Sequence, residues 1–144
     1  DLFTAQILDE GCRVANLVKL NDEEICAVAP LLDLPCGNAL EQSEAICERY
    51  DLEALVFTRG KRGTAALTGK GWIEGAPASF PLAENADSVA AGDACTAALL
   101  TARLLGRSWR NSLDMANQHG AFVASQPGAT PHLPPEILGL FKLA

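Results

Sequence analysis

The 144-residue sequence has no apolar run approaching the roughly 20 residues a helix needs to cross a bilayer, so no membrane-spanning helix is expected. It has no lysine/arginine cluster. Eleven basic residues face 18 acidic ones, for a net charge of −7. That argues against an extended nucleic-acid surface, which needs phosphate-neutralising charge. It does not exclude one local phosphate cradle. No C-x-x-C pair occurs, and the five cysteines, Cys12, Cys26, Cys36, Cys47 and Cys95, are scattered and odd in number. With only His119 and His132 beside them, a zinc site is not indicated. Buried free thiols in a reducing cytoplasm are the expected state. The opening residues carry no basic segment followed by an apolar one, so no secretory leader is expected. There is no internal repeat and no low-complexity segment.

What is present is 49% hydrophobic content, ample for a core, in a chain of one-domain length. Residues 1–12 read as a helix, with Leu2, Phe3, Ile7 and Leu8 at helical spacing and Gly11 as its end. Residues 15–20 read as a short buried strand, and a helix over 23–29 follows. Residues 30–38 have loop composition. Residues 40–50 form an amphipathic pattern with Leu40, Ala45, Ile46 and Tyr50 inward. Residues 54–58 are a second buried strand, and 64–75 read as a hairpin turning at 69–71. Pro77 and Pro81 make 76–86 an extended approach. A long helix starting near Gly92 and running to about Leu105 places Leu99, Leu100, Ala102, Leu104 and Leu105 in the core, and Gly106 ends it. Ser108 caps a helix over 109–125 that offers Trp109, Leu113, Ala116, Ala121 and Val123. A short closing helix over 134–143 starts on Pro134-Pro135. Alternating strands and helices define an α/β class with a largely parallel sheet flanked by helices. Sites in such sheets lie where strand ends meet helix starts.

Three stretches fall at such junctions. In D-S-V-A-A-G-D, residues 87–93, a turn of small residues runs into a helix. The first N–H groups of a helix lack internal partners and carry partial positive charge, so a loop without bulky side chains lets an anion reach them. Asp93 is either a first-turn cap or, beside a phosphate that repels it, a residue kept for chemistry. Asn21 and Glu24 have capping-box spacing, in which the acid reaches back to the N-cap N–H. Thr58-x-Gly60-x-x-Gly63 is either an ordinary glycine turn or a loop built for close approach to a ligand. Arg59, Lys61 and Arg62, in a chain of net charge −7, favour a polyanion there.

The stretch Asp87-Ser88-Val89-Ala90-Ala91-Gly92-Asp93 resembles the second signature of the ribokinase-like, or phosphofructokinase-B type, carbohydrate kinases. Their pattern is Asp-Thr-x-Gly/Ala-Ala-Gly-Asp at the start of a helix, and Ser88 is the one departure. The resemblance implies that Asp93 is the catalytic base and that the amides of Ala90, Ala91 and Gly92 form an anion hole. Asn21-x-x-Glu24 resembles the family's Asn-x-x-Glu motif, in which the Glu organises Mg²⁺ largely through water and the Asn lies near the phosphates. Magnesium keeps several waters, so one such carboxylate suffices. By the same resemblance Thr58, Gly60 and Gly63 line the nucleotide, and Asn117 and Ala121 lie on the helix that borders the adenine. For Asn117 a solvent-facing position is the equal alternative. His119, on that same helix, needs no role. The loop 126–131 resembles one whose carbonyls, with Asp87 and the carbonyl of Val89, bind a monovalent cation in several members, which suggests K⁺ alongside ATP and Mg²⁺.

The resemblance thus implies a ribokinase-like three-layer sandwich and ATP-dependent phosphorylation of a sugar hydroxyl in the cytoplasm, with no nucleic-acid or membrane partner. Family members are about twice this length, and residues 1–144 correspond to their C-terminal nucleotide-binding and catalytic part. The sugar-binding N-terminal part and lid, with the homodimer interface the lid often builds, have no counterpart here. Two further readings stay open. The chain is an inactive nucleotide-binding fragment or module, or it belongs to a kinase for a vitamin alcohol of the same superfamily.

Overall fold

The computed structural model describes residues 3–35 and 37–142, which form two compact units. Cys36 and the Leu2 position of the first predicted helix lie outside the described residues. The first unit comprises the chain up to Arg59 together with Ala65–Ile73. Its helix α1 (Ala5–Val14) starts where the Thr4 side chain accepts from the Ile7 N–H, 3.3 Å away. Gly11 does not end this helix, as its composition had implied. The helix runs on to Val14, because one glycine costs only about 1 kcal/mol of propensity. Strand β1 (Leu17–Asn21) follows, then α2 (Asp22–Leu31), α3 (Ala39–Tyr50) and β2 (Ala54–Thr58). Strand β3 (Thr64–Thr68) and strand β4 (Gly71–Glu74) complete a mixed four-stranded sheet in the order β1-β2-β3-β4. Strands β1 and β2 pair in parallel, Leu17 opposite Ala54 through Asn21 opposite Thr58.

The expected buried first strand is half-buried along its whole length, because β1 is an edge strand of this sheet. Strand β2 has neighbours on both sides and is buried from Ala54 to Phe57. Helix α2 takes in Pro30, which had been assigned to a loop. In α3 the inward face carries Ser43, Ile46 and Tyr50, while Leu40 is exposed. The buried Ser43 hydroxyl satisfies itself on the Ala39 carbonyl at 2.6 Å. Ile25, Val28, Leu32, Ile46, Tyr50, Leu55 and Phe57 form one core cluster against which Leu8, Cys12 and Trp72 pack. Losing the side chain of Ile46 or Leu55, both almost fully buried, costs about 2–5 kcal/mol in a core of this kind. The Tyr50 hydroxyl donates to Asp9 at 2.9 Å, and Arg13 pairs with the same carboxylate, which ties α1 to α3.

The second unit comprises Gly60–Thr64 and the chain from Glu74 onward. A 3₁₀ turn over Gly60–Arg62 opens it. After an extended segment come α4 (Ala91–Leu104), α5 (Trp109–Val123) and the short α6 (Pro135–Gly139), which stops short of the expected 143. Cys95, Ala98, Leu99 and Ala102 form the buried face of α4, whereas Leu100 and Leu104, predicted inside, are exposed. The inward face is the one with small residues, because it lies close against α5 at Gly120. Ser108 caps α5 as expected, accepting from Asn111 at 3.2 Å. Phe80 meets Phe122 edge-on with centroids 5.6 Å apart, in a cluster with Val123 and Ile137. Among the described cysteines, all expected to be buried, only Cys95 is; Cys12 and Cys47 are half-buried and Cys26 is exposed.

Candidate active site

In the first unit, the parallel register sets Asn21 directly beside Thr58 at the C-terminal ends of β1 and β2. Strand ends feeding helix starts are where α/β sheets hold ligands. Asn21 Oδ1 accepts from the N–H groups of Glu23 (2.9 Å) and Glu24 (2.7 Å), and Glu24 Oε2 accepts from the Asn21 N–H at 2.8 Å. This is the reciprocal capping box the spacing predicts. The box fixes both side chains at the strand end. Glu24 is exposed, and its bond in the box uses Oε2, so Oε1 remains available to a hydrated cation.

In the second unit, Ala90 is the N-cap of α4 and adopts a left-handed conformation, φ 57° and ψ 8°. A non-glycine residue there costs on the order of 1–2 kcal/mol. No side chain caps this helix. The Ala91 N–H donates to the Ser88 carbonyl at 3.2 Å, which leaves the N–H groups of Gly92 and Asp93 as the candidate donors of this first turn, and Asp93 stands in the same exposed turn. The structure brings Ala90, Ala91, Gly92 and Asp93 together as one loop-to-helix corner.

Asp87 anchors the approach to this corner. Its Oδ1 accepts from the Val89 N–H and its Oδ2 from the Gly128 N–H, both at 2.9 Å. The Asp87 N–H in turn donates to the Gln126 carbonyl at 3.2 Å. Asp87, Val89 and the loop after α5, which the family resemblance groups as a cation site, are thus neighbours. The two backbone donors, Gly128 foremost, hold the Asp87 carboxyl below the ordinary carboxylate value.

The glycine loop takes the conformation its residues permit. Gly60 has φ +54° and Gly63 φ +76°, and the Gly63 N–H closes on the Gly60 carbonyl at 3.0 Å. A Cβ on Gly63 would lie 2.9 Å from Asn117 Nδ2 and 3.3 Å from Pro77 Cα, so close approach as well as dihedral requires glycine. Asn117 does not face solvent. It is 7% exposed, its Oδ1 accepts from the Thr64 N–H (2.9 Å), and its Nδ2 donates to the Ala76 carbonyl (2.8 Å). Ala121 is half-buried one turn along α5. His119 has a buried Nδ1 with no hydrogen-bond partner, and its ring meets Phe141 edge-on at 5.6 Å. Burial depresses its pKa, against a weaker backbone bond with Ala94.

Sequence reasoning missed Gly120, Gly75 and Asp114. Gly75 passes so close to α5 that a Cβ would meet Leu113 and Asn117 within 2.9 Å, and Asp114 accepts from the Ala76 N–H at 2.6 Å. A glycine inside a long helical pattern was the one available signal, at position 120. It also missed a second box, Asn38 with Glu41 at the start of α3, although its spacing equals that of Asn21 and Glu24.

Solved structures share this fold. The nucleoside kinase of Methanocaldococcus jannaschii, an archaeal member of the ribokinase family, superimposes with a TM-score of 0.75 at 21% identity, over 97% of this chain and 44% of that one. The Burkholderia thailandensis nucleoside kinase in complex with ADP-inosine does so with a TM-score of 0.72 at 24% identity, over 90% and 37%. The α/β architecture is therefore the ribokinase fold. In sequence, the profile of the pfkB family of carbohydrate kinases matches residues 2–136. A fructokinase of Salmonella thompson is 32% identical over 133 residues, 88% of this chain and 57% of the relative. The chain belongs to the pfkB family of carbohydrate kinases, and it spans little more than half the length of that curated relative.

Proposed function

We propose that the chain is the nucleotide-binding and catalytic part of a kinase that transfers the γ-phosphoryl group of ATP to a hydroxyl of a sugar or sugar-like molecule. The observation that carries this reading is the corner at 87–93. An uncapped helix start, reached through a left-handed Ala90, presents backbone donors and one carboxylate in the same turn. Phosphoryl transfer asks the protein for positioning, charge neutralisation and a proton acceptor.

In this reading Asp93 takes the proton of the acceptor hydroxyl as its oxygen forms a bond to the γ-phosphorus. The bond from that phosphorus to the bridging oxygen breaks, and ADP leaves with the electron pair. The N–H groups of Ala90 and Gly92 hold the charge on the transferring group; that of Ala91, expected to join them, donates instead to the Ser88 carbonyl at 3.2 Å. Thr58, Gly60 and Gly63 line the nucleotide, with Ala121 and Asn117 on the bordering helix. Glu24, largely through water, would place the Mg²⁺, which would neutralise phosphate charge, and Asn21, whose Oδ1 is engaged by the Glu23 and Glu24 N–H groups, would lie near the phosphates. Asp87 and the Val89 carbonyl are the candidates for K⁺. The similarity to a fructokinase favours a sugar acceptor; the likeness to nucleoside kinases keeps a nucleoside ribose hydroxyl in the same assay.

The test is ADP release by the complete protein with ATP, Mg²⁺ and a panel of sugars and nucleosides, in wild type and Asp93→Asn. The substitution is expected to abolish turnover while nucleotide binding persists. Near-normal turnover in that variant sinks the assignment of the base. The span of the match, 57% of the fructokinase, favours a second reading for the 144 residues in isolation. That polypeptide binds ATP without sugar-dependent turnover, because the acceptor-binding part is supplied elsewhere. Assaying it beside the complete protein separates the two.

A further inference from the structure

We infer that Asn117 is a positioning residue that holds the Gly60–Gly63 loop in its ligand-ready shape from below. The inference rests on the kinase reading of that loop. A buried amide is costly unless its groups are paired, and Asn117 pairs both by bridging two backbone segments. One is Thr64, the first residue after Gly63 and 53 positions away in sequence, whose buried N–H is taken by Asn117 Oδ1. The other is Ala76, just past β4, whose carbonyl is taken by Nδ2. The two segments are also bonded to each other, Gly75 N–H to Thr64 carbonyl at 2.8 Å.

The bridge needs an acceptor and a donor at one short reach, which only asparagine supplies. Aspartate lacks the donor, leucine lacks both, and glutamine is one methylene too long for a space in which a Gly63 Cβ would already stand 2.9 Å from Nδ2. At this end the Thr64 hydroxyl also reaches the Leu113 carbonyl at 3.5 Å, and within the loop the Gly63 N–H closes on the Gly60 carbonyl; the left-handed glycines between give the backbone alternatives when the amide bridge is lost. Around Asn117, helix α5 grips the segment 74–76 independently, with Arg110 donating to the Glu74 carbonyl and Asp114 accepting from the Ala76 N–H. Removing Asn117 therefore breaks the tie from the Thr64 N–H to the side chain on α5 while the segment 74–76 stays clamped.

Steady-state kinetics on the complete protein test this. Asn117→Ala is expected to raise the KM for ATP about tenfold or more, with the sugar KM within about twofold. Asn117→Asp, which keeps the acceptor for Thr64 but sets a buried carboxylate oxygen against the Ala76 carbonyl, is expected to leave the ATP KM raised. Asp114→Ala, which breaks a neighbouring anchor without touching Thr64, is expected to lower the melting temperature and leave the ATP KM near wild type. If Asn117→Ala does not fold, Gly63→Ala is expected to give the same ATP-specific defect by pushing on the loop directly. An unchanged ATP KM in folded Asn117→Ala, or an equal rise in Asp114→Ala, overturns the positioning role. Amide exchange keeps the two levels distinct. Thr64 should exchange slowly in wild type and fast in Asn117→Ala, whether or not ATP is turned over. A wild-type protein with that protection but no ATP turnover overturns the kinase reading, and with it this inference.

Discussion

Gly120 of α5 lies against the first turn of α4: a Cβ at position 120 would stand 3.1 Å from the Ala91 carbonyl oxygen and 3.1 Å from the Cys95 Cβ. A mid-helix glycine costs about 1 kcal/mol relative to alanine, so its presence is offset by what the close approach secures. What it secures is the seat of the corner that carries Asp93.

Gly120→Ala therefore sets gained helix propensity against two tight contacts. Its stability should stay within about 1 kcal/mol of wild type. Turnover should fall about tenfold or more, because the contact pushes on the carbonyl of Ala91 in the turn that carries Asp93, the proposed base. Thermal melting and kcat measured side by side check this. An unaltered kcat would mean that the turn absorbs the shift.

Glu24 separates capping from metal chemistry. Glutamine also closes a capping box, so Glu24→Gln should change stability by only a few tenths of a kcal/mol. It should raise the Mg²⁺ concentration needed for half-maximal activity severalfold, since a neutral amide binds hydrated Mg²⁺ poorly. Asn21→Ala, by contrast, should lose about 1 kcal/mol from the cap alone. A Mg²⁺ titration and urea unfolding of the two variants give both readouts. Identical Mg²⁺ curves for Glu24→Gln and wild type would leave Glu24 a cap only.

Asp87 makes the loop after α5 acid-sensitive. Its folded carboxyl is held below the ordinary value of 3.8 by the Gly128 and Val89 N–H groups. A lowered folded pKa adds stability that is present above pH 3.8 and is lost as pH falls through the folded value. Asp87→Asn can accept through only one oxygen, so it should be less stable at pH 7 and lose less on acidification. Unfolding midpoints between pH 7 and about 2.5 test this; parallel pH profiles would count against it.

His119 acts at a higher pH with its own sign. Burial lowers its folded pKa below 6.5, so the unfolded chain binds more protons there. Stability should fall as pH is lowered through about 6.5 and be restored as it rises. His119→Phe keeps the edge-on ring contact with Phe141 and removes the titration, so this component of the slope between about pH 7 and 5 should vanish. Chemical denaturation at several pH values reads it directly, and an unchanged slope would rule it out.

Local chemistry was legible wherever a few neighbouring residues suffice. The cap at Asn21 and Glu24, the cap at Ser108, the hairpin at 64–75 and the helix after Gly92 all follow from short-range hydrogen-bonding rules. The same rules overreached at Gly11, because a glycine weakens a helix without terminating it. They also could not rank the two N-x-x-E boxes. Asn21 differs from Asn38 by standing at a parallel strand end beside Thr58, and strand register is a long-range property.

By itself, then, the sequence determined the α/β class, the capped starts of α2 and α5, and the resemblance of the stretch 87–93 to the pfkB kinases, whereas it put the first helix too early, at residue 1, where α1 begins at Ala5 behind Thr4. Those depend on periodicity, caps and small residues within one or two turns of each other. Only the tertiary structure decided which face of α4 is buried, that Leu100 and Leu104 stay outside, and that Asn117 serves the backbone of Thr64 and Ala76 rather than solvent. The physical reason is the same in each case. Which groups are desolvated, and which buried donors then require a partner, depends on segments far apart in the chain, and no local pattern carries that information.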